Sequence, residues 1–287
     1  MKIKTPNKAI QRAGAADFCV RGKIIMGKKD LETWEQFEEE INKLNSEINN
    51  IRGTSQSHRS PLLFRGQGDY NWPLETTLDR IKKDLSQKQY YIIMKAVQSN
   101  VESCTEKHWN LPSPDKYEEK DCFAPLGYDF MIYLRHNGFP SPLLDWTRSY
   151  YIASFFAFNE NRKAERVSIY AYVEYLRGEK SWCGKKITGL GPYVTTHKRH
   201  FLQQCEYTIC TIKKNDRLIY KPYENVIAKS KTKNQDLLKQ YTLPSSERSK
   251  VLKKLDTMNI NSYSLFENEE GLMDILSKRN FLLNKYL

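Results

Sequence analysis

The stretch from Phe139 to Phe158, FPSPLLDWTRSYYIASFFAF, constrains this chain more than any other. Gly138, Pro140 and Pro142 forbid a regular helix at its start, because proline lacks an N–H and clashes with the turn before it. Leu143 and Leu144 then lead to a lone carboxylate, Asp145, followed by Trp146 and Thr147. The apolar run carrying Phe155, Phe156 and Phe158 is too hydrophobic for a solvent-facing helix. An acid set among leucines and a tryptophan is costly to bury unless a partner neutralises it. The fold must therefore bring a partner to Asp145, and the expected one is Arg65, far upstream.

Around this centre the periodicity changes along the chain. Trp34, Phe37, Ile41, Leu44 and Ile48 recur every three or four residues and predict an amphipathic helix ending before Gly53. Residues 61–67 read as a short buried strand with Arg65 at its carboxyl end. Residues 74–80 read as the start of a helix, and longer helices are expected over 86–109 and 117–136. Beyond the central stretch the period shifts towards two: residues 167–173 and 206–212 alternate as strands. Residues 224–229 and 238–242 read as further strands, and 177–198 as a loop-rich excursion. Helices return at 245–258 and 269–283. The expected class is α+β, a helical first half packed on a mixed, mostly antiparallel sheet supplied largely by the second half. Residues 1–30 read as an irregular arm with one short strand at 23–26, and 31–287 as one domain.

Composition narrows the class. The 287 residues are 39% hydrophobic and 12% aromatic, enough for a sizeable core. The net charge of +12 favours an anionic partner such as nucleic acid, a nucleotide or an anionic surface. A lysine-rich solvated surface explains the same charge equally well, and no RNA-binding signature accompanies it. Six scattered cysteines without a CxxC pair, and no leader-like start, point to free thiols in a reducing cytoplasm. No run of apolar residues reaches bilayer length. No metal-ligand spacing, Walker loop, GxSxG or HExxH is present, and no metal is expected.

Three places could carry chemistry. Phe64-Arg65-Gly66-Gln67 offers a rigid guanidinium fork for phosphate, with a glycine that lets backbone come close; equally, Arg65 could serve only as the counter-ion of Asp145. His136, at a helix C-terminus, fits either a structural cap or a hydrogen bond to ribose or phosphate. Gln204 and Glu206, placed on one face of a strand, fit an amide and sugar-hydroxyl clamp or an ordinary exposed strand start. Cys205 follows His197, Lys198, Arg199 and His200, which would lower its pKa, but a buried inert thiol is the stronger reading.

Together these pieces resemble the FRG domain family, named for its Phe/Tyr-Arg-Gly motif. Phe64-Arg65-Gly66-Gln67 matches that motif, and residues 70–80, including Arg80, are similar to the positions downstream of it. His136-x-Gly138-x-Pro140 with Leu143-Leu144-Asp145-Trp146-Thr147 matches a second block, and residues 199–207 resemble a third. Ser141-Pro142 stands where the family commonly has Thr-Arg, and Cys205 where it has glycine. The family occurs in bacteria and phages, in settings that suggest conflict with phage. Its strand-borne arginine is similar to the first motif of ADP-ribosyltransferases of the Arg-Ser-Glu type. The resemblance implies an ADP-ribosyltransferase-like core and an effector that uses NAD to modify a macromolecule, plausibly nucleic acid, with an antitoxin or defence-system protein as partner. Arg65, Gly66, Gln67, Arg80 and His136 would hold the dinucleotide, while Asp145, Gln204 and Glu206 would border the ribose and steady an oxocarbenium ion. The alternative is a non-catalytic sensor of a ligand or phage product, with Arg65 and Asp145 as a structural ion pair. A metal-dependent nuclease is disfavoured, since no compact acidic cluster is visible.

Overall fold

In a computed structural model, which describes residues 25–53, 60–81, 84–118, 124–159, 163–174, 185–191, 198–223 and 236–283, the spacing at 34–48 becomes helix α1 (Trp34–Arg52). The Thr33 side chain caps it by accepting from the Gln36 N–H, and Gly53 ends it with a left-handed φ of 51°. Its buried residues are Trp34, Phe37, Ile41, Leu44 and Ile48, the five that set the period. Helix α2 (Gln87–Thr105) starts at a capping box in which Ser86 and Gln89 satisfy each other's backbone N–H. Helix α3 (Tyr128–His136) is shorter than the periodicity suggests. Residues 114–116 form a single 3₁₀ turn, and the helix begins only after Gly127, whose φ is 76°. The hydrophobic run becomes α4 (Tyr150–Asn159), buried on nearly all sides.

Eight strands form one sheet among the described residues: β1 (Ile25–Asp30), β2 (Leu63–Gln67), β3 (Leu144–Thr147), β4 (Arg166–Val173), β5 (Lys185–Gly189), β6 (Cys205–Lys214), β7 (Arg217–Tyr220) and β8 (Leu237–Pro244). Their order is β1-β8-β4-β2-β3-β6-β5, with β7 also paired to β6. The β1–β8 pair is parallel and the others are antiparallel. The class is therefore α+β with a mixed sheet, as expected. Short helices α5 (Arg199–Leu202), α6 (Arg248–Thr257), α7 (Ser262–Phe266) and α8 (Glu269–Phe281) complete the described chain.

Several local expectations are corrected. The short strand expected at 23–26 overlaps β1, which runs on to Asp30 and pairs with β8 instead of lying in an irregular arm, while 1–24 lie outside the described residues. Residues 74–80 are a series of turns rather than a helix. The excursion at 177–198 contains β5, whose sequence KKITG carries one apolar residue and so shows no alternation. The strand expected at 224–229 lies outside the described residues.

Two helical groups cover parts of the sheet. Helices α1, α4 and α6 bury their apolar faces with β2, β4 and β8, through Phe37, Phe64, Phe155, Ile169, Tyr241 and Leu255. Helices α2 and α3 pack on β6 and β7 through Tyr90, Phe130, Tyr207 and Tyr220. The strands connecting these two regions are β2 and β3, and their pairing is incomplete. All five residues of β2 pair with β4 and all four of β3 with β6, but β2 and β3 share one register pair, Phe64 with Thr147. Beyond it the two strands part. No helix among the described residues is long and apolar enough to cross a membrane.

Candidate ligand site at the parting of β2 and β3

The gap between β2 and β3 opens into a cavity of about 270 Å³. It is small beside most small-molecule sites, which span roughly 300–1,000 Å³. Its walls include Arg65, Gly66 and Gln67 of β2, Asp145 of β3, and Arg135 and His136 at the end of α3. The loop after β2 contributes Trp72 and Arg80, and Phe156 of α4 closes one side.

Asp145 is the electrostatic pivot. Arg135 grips its carboxylate with both arms, Nε to Oδ1 at 3.3 Å and Nη2 to Oδ2 at 2.6 Å. Arg65 stands farther off, with Nη1 4.0 Å from Oδ2, and donates instead to the Asp145 main-chain carbonyl at 2.8 Å. The expected pairing of Arg65 with Asp145 is present but is the weaker of two: Arg135 makes the close ion pair, and Arg65 also ties β2 to β3 across the gap. Burial pushes the Asp145 carboxyl up, but Arg135 and Arg65 outweigh it and hold the group below the ordinary carboxylate range. The same carboxylate lifts the Arg135 guanidinium above its usual value against the pull of burial. Burial lowers Arg65, Asp145 partly restores it and Arg135 adds to the lowering; an arginine nonetheless stays charged.

Polar capacity is left over in this wall. Arg65 Nε is buried without a hydrogen-bond partner. Gln67, 4% exposed, donates from Nε2 to the Pro73 carbonyl at 3.3 Å, while its Oε1 has no partner. Arg80 is exposed at the rim, on a loop held by two ties. Asp79 Oδ2 accepts from the Thr76 N–H and hydroxyl at 2.9 and 2.7 Å, and the Leu78 N–H donates to the Ser141 carbonyl at 3.2 Å. Ser141 thus works as a fixed joint between this loop and the turn before β3. Three guanidinium groups face one carboxylate, so the cavity is net positive and suited to an anion.

Gly66 has a different reason from the one its motif suggests. A Cβ there would lie 1.9 Å from the Ala153 carbonyl oxygen and 2.7 Å from the Ala157 nitrogen. The glycine lets α4 press directly onto β2, so its first constraint is helix–strand packing.

The remaining candidates separate. His136 lines the cavity, and its Nε2 lies 2.7 Å from the Tyr207 hydroxyl. Gln204 does not share a strand face with Glu206: it is exposed in the turn before β6, at φ 48°, and Gln203 reaches the cavity in its place. Glu206 is buried on β6 opposite Trp146, outside the cavity lining, and its Oε1 accepts from Arg148 Nε at 2.8 Å and from Nη2. Cys205 lines the cavity, where burial, with Asp145 adding to it, pushes its thiol up to about 12, so it is protonated at neutral pH. Among the described residues no group of three or more His, Cys, Asp or Glu side chains is placed to hold a metal ion.

Sequence reading missed Arg135, Gln203 and Phe156. Arg135 was findable, since it precedes His136 by one residue and Asp145 by ten, close enough to meet it across a single turn. Comparisons with curated proteins and with solved structures found no match. Residues 60–166 span β2, α2, α3, β3 and α4 and supply the whole cavity lining apart from Gln203 and Cys205, and they match the family model of the FRG domain.

Proposed function

We propose that the cavity between β2 and β3 binds a phosphorylated, nucleotide-class ligand. The observation that carries this reading is the pairing of a buried guanidinium holding an unused N–H, Arg65, with a second arginine at the rim, Arg80, around a cavity with aromatic walls at Trp72 and Phe156. Guanidinium groups suit phosphate oxygens, and aromatic faces suit a base.

The chemistry built on that binding is ADP-ribosyltransferase-like, with NAD as the substrate that the family resemblance nominates. Arg65 and Arg80 would hold the diphosphate, and His136 would border the nicotinamide ribose. Asp145, the carboxylate in the cavity lining, would face the positive charge that develops as the glycosidic bond breaks. Glu206 and Gln204 would then act outside the bound dinucleotide, towards the acceptor. The reading makes the protein a cytoplasmic effector in a toxin or anti-phage setting. Its target is a macromolecule, with nucleic acid favoured by the charge of +12, and a defence-system protein or antitoxin is its natural regulator.

One observation favours a second reading, a non-catalytic sensor. Both candidate carboxylates are already occupied by arginine, Asp145 by Arg135 and Glu206 by Arg148. A site that only recognises its ligand needs neither acid free.

The deciding experiment pairs calorimetric titration of NAD, ADP-ribose and pyrophosphate with an assay of nicotinamide release. Arg80→Ala is the variant of choice, because its side chain is exposed and its removal spares the fold. Binding that weakens about tenfold in this variant, the worth of one good charge-assisted contact, supports the site. Nicotinamide release lost in Asp145→Asn, with binding retained, supports the transferase. Binding without release supports the sensor, and absence of binding by all three compounds removes the nucleotide reading.

A further inference from the structure

Behind the cavity, His136 heads a line of three side chains, and the nucleotide reading uses none of them beyond His136 itself. His136 Nε2 lies 2.7 Å from the Tyr207 hydroxyl, and His200 Nδ1 lies 3.1 Å from the same oxygen. The His200 ring stacks on the Tyr207 ring at 5.6 Å and 15°. Tyr207 is fully buried, whereas His136 lines the cavity and His200, on α5, is half-buried. We propose that His136, Tyr207 and His200 form a proton relay that makes His136 the proton acceptor of the cavity and delivers the proton to the α5 side of the molecule.

The geometry restricts how this chain can be protonated. A neutral phenol has one O–H, and in a relay it donates to one imidazole while accepting from the other. If His136 donates from Nε2, Tyr207 donates to His200 Nδ1, and both rings carry their proton on Nε2. If His200 donates from Nδ1, Tyr207 donates to His136 Nε2, and both rings carry it on Nδ1. Mixed tautomers break the line: either one hydrogen bond is lost, or both rings donate to the phenol oxygen and no proton can pass between them. Burial raises the Tyr207 phenol above its ordinary range, with Cys205 and Asp145 adding to the effect, which keeps it neutral and able to pass a proton.

The transfer balances. A hydroxyl or water in the cavity gives its proton to His136 Nδ1, and His136 passes the proton on Nε2 to the Tyr207 oxygen. Tyr207 passes its own to His200 Nδ1, and His200 gives up the proton on Nε2 at the α5 side. Both rings change from the Nε2 to the Nδ1 tautomer together. Around the chain stand Arg135 and Tyr128 on α3, Asp145 on β3, Cys205 on β6, and Lys198 and Arg199 beside His200. Since Asp145 is held by Arg135, the imidazole is the better acceptor of the two.

The use of the relay rests on the cavity reading, but its existence can be tested without a ligand. Nitrogen-15 NMR of the full chain at neutral pH reports the tautomer of each ring. The expected result is the same tautomer for His136 and His200, with Tyr207→Phe letting the two differ. Different tautomers in the wild type, or rings unchanged by Tyr207→Phe, overturn the proposal. His200→Gln covers the case in which the buried change does not fold, since it keeps a hydrogen-bonding group that cannot carry a proton. Exchange of the His136 ring proton with solvent should slow about tenfold, and an unchanged rate overturns the relay. Pyrophosphate titrated into the wild type tests the cavity reading separately: coupled tautomers without pyrophosphate binding support the relay while removing its phosphorylated ligand.

Discussion

The two edges of β3 are built differently. Along β6, four register pairs run from Leu144–Thr208 to Thr147–Cys205. Along β2, the one pair is Phe64–Thr147, although β2 is fully paired on its other side with β4. Buried main-chain groups need hydrogen-bond partners, and across the gap the Arg65 guanidinium supplies one to the Asp145 carbonyl at 2.8 Å. A ladder therefore gives way to a side chain, and the space so opened holds the cavity. The comparison teaches that the β6 edge is a continuous ladder that reaches the cavity only through Cys205, while the β2 edge is where the cavity opens, with α4 pressed on Gly66 to hold the opening in place.

The sharpest way to break this contrast is Arg135→Met. It removes the bidentate partner of Asp145, and breaking a buried pair from one side costs about 3–5 kcal/mol, to be read as a drop in the urea midpoint at neutral pH. The pH dependence follows from the depressed carboxyl of Asp145. Its contribution is complete above the unfolded carboxylate value near pH 4 and is lost as pH falls through the lower folded value. An acid titration of the wild type should show that loss below about pH 4, and Arg135→Met should flatten it.

Next in size is Gly66→Ala. The new methyl meets α4 backbone rather than a side chain that can swing away, so overpacking should cost about 1–3 kcal/mol, with pyrophosphate affinity falling as β2 shifts. A calorimetric melting curve measures the first effect and titration the second.

On the β6 edge, Arg148→Gln should cost about 1 kcal/mol, because Arg148 is half exposed and solvent screens its pair with buried Glu206. Pyrophosphate affinity should not change. A marked loss of binding in this variant would show that the β6 edge belongs to the site and that the contrast is drawn in the wrong place.

The smallest expected stability effect is Arg80→Ala, within about 0.5 kcal/mol, since an exposed side chain without an ion pair contributes little to folding. The same denaturation series checks it.

The fold was legible wherever one element buries one periodic face. The five apolar residues of α1 and the largely apolar α4 needed no partner to be recognised, because spacing and hydrophobicity report burial directly. Strand β5, a lysine-rich edge with one apolar residue, carried no such signal, and neither did the turns at 74–80 that position Arg80. In the site, the motif residues Arg65, Gly66, Gln67, Arg80, His136 and Asp145 meet at one cavity. Glu206 and Gln204 part company because a left-handed turn at Gln204 ends the alternation that would have aligned them.

Composition, period and motif order alone determined that this chain is α+β, that Asp145 needs a partner, and that Arg65 and Gly66 lie on a short strand. Tertiary structure alone decided which cation answers Asp145, where β2 leaves β3, and that Tyr207 stands between two imidazoles. Periodicity is local and survives in one dimension. Ion pairing, strand divergence and hydrogen-bond chains depend on distances between residues far apart in sequence, which exist only once the sheet has formed.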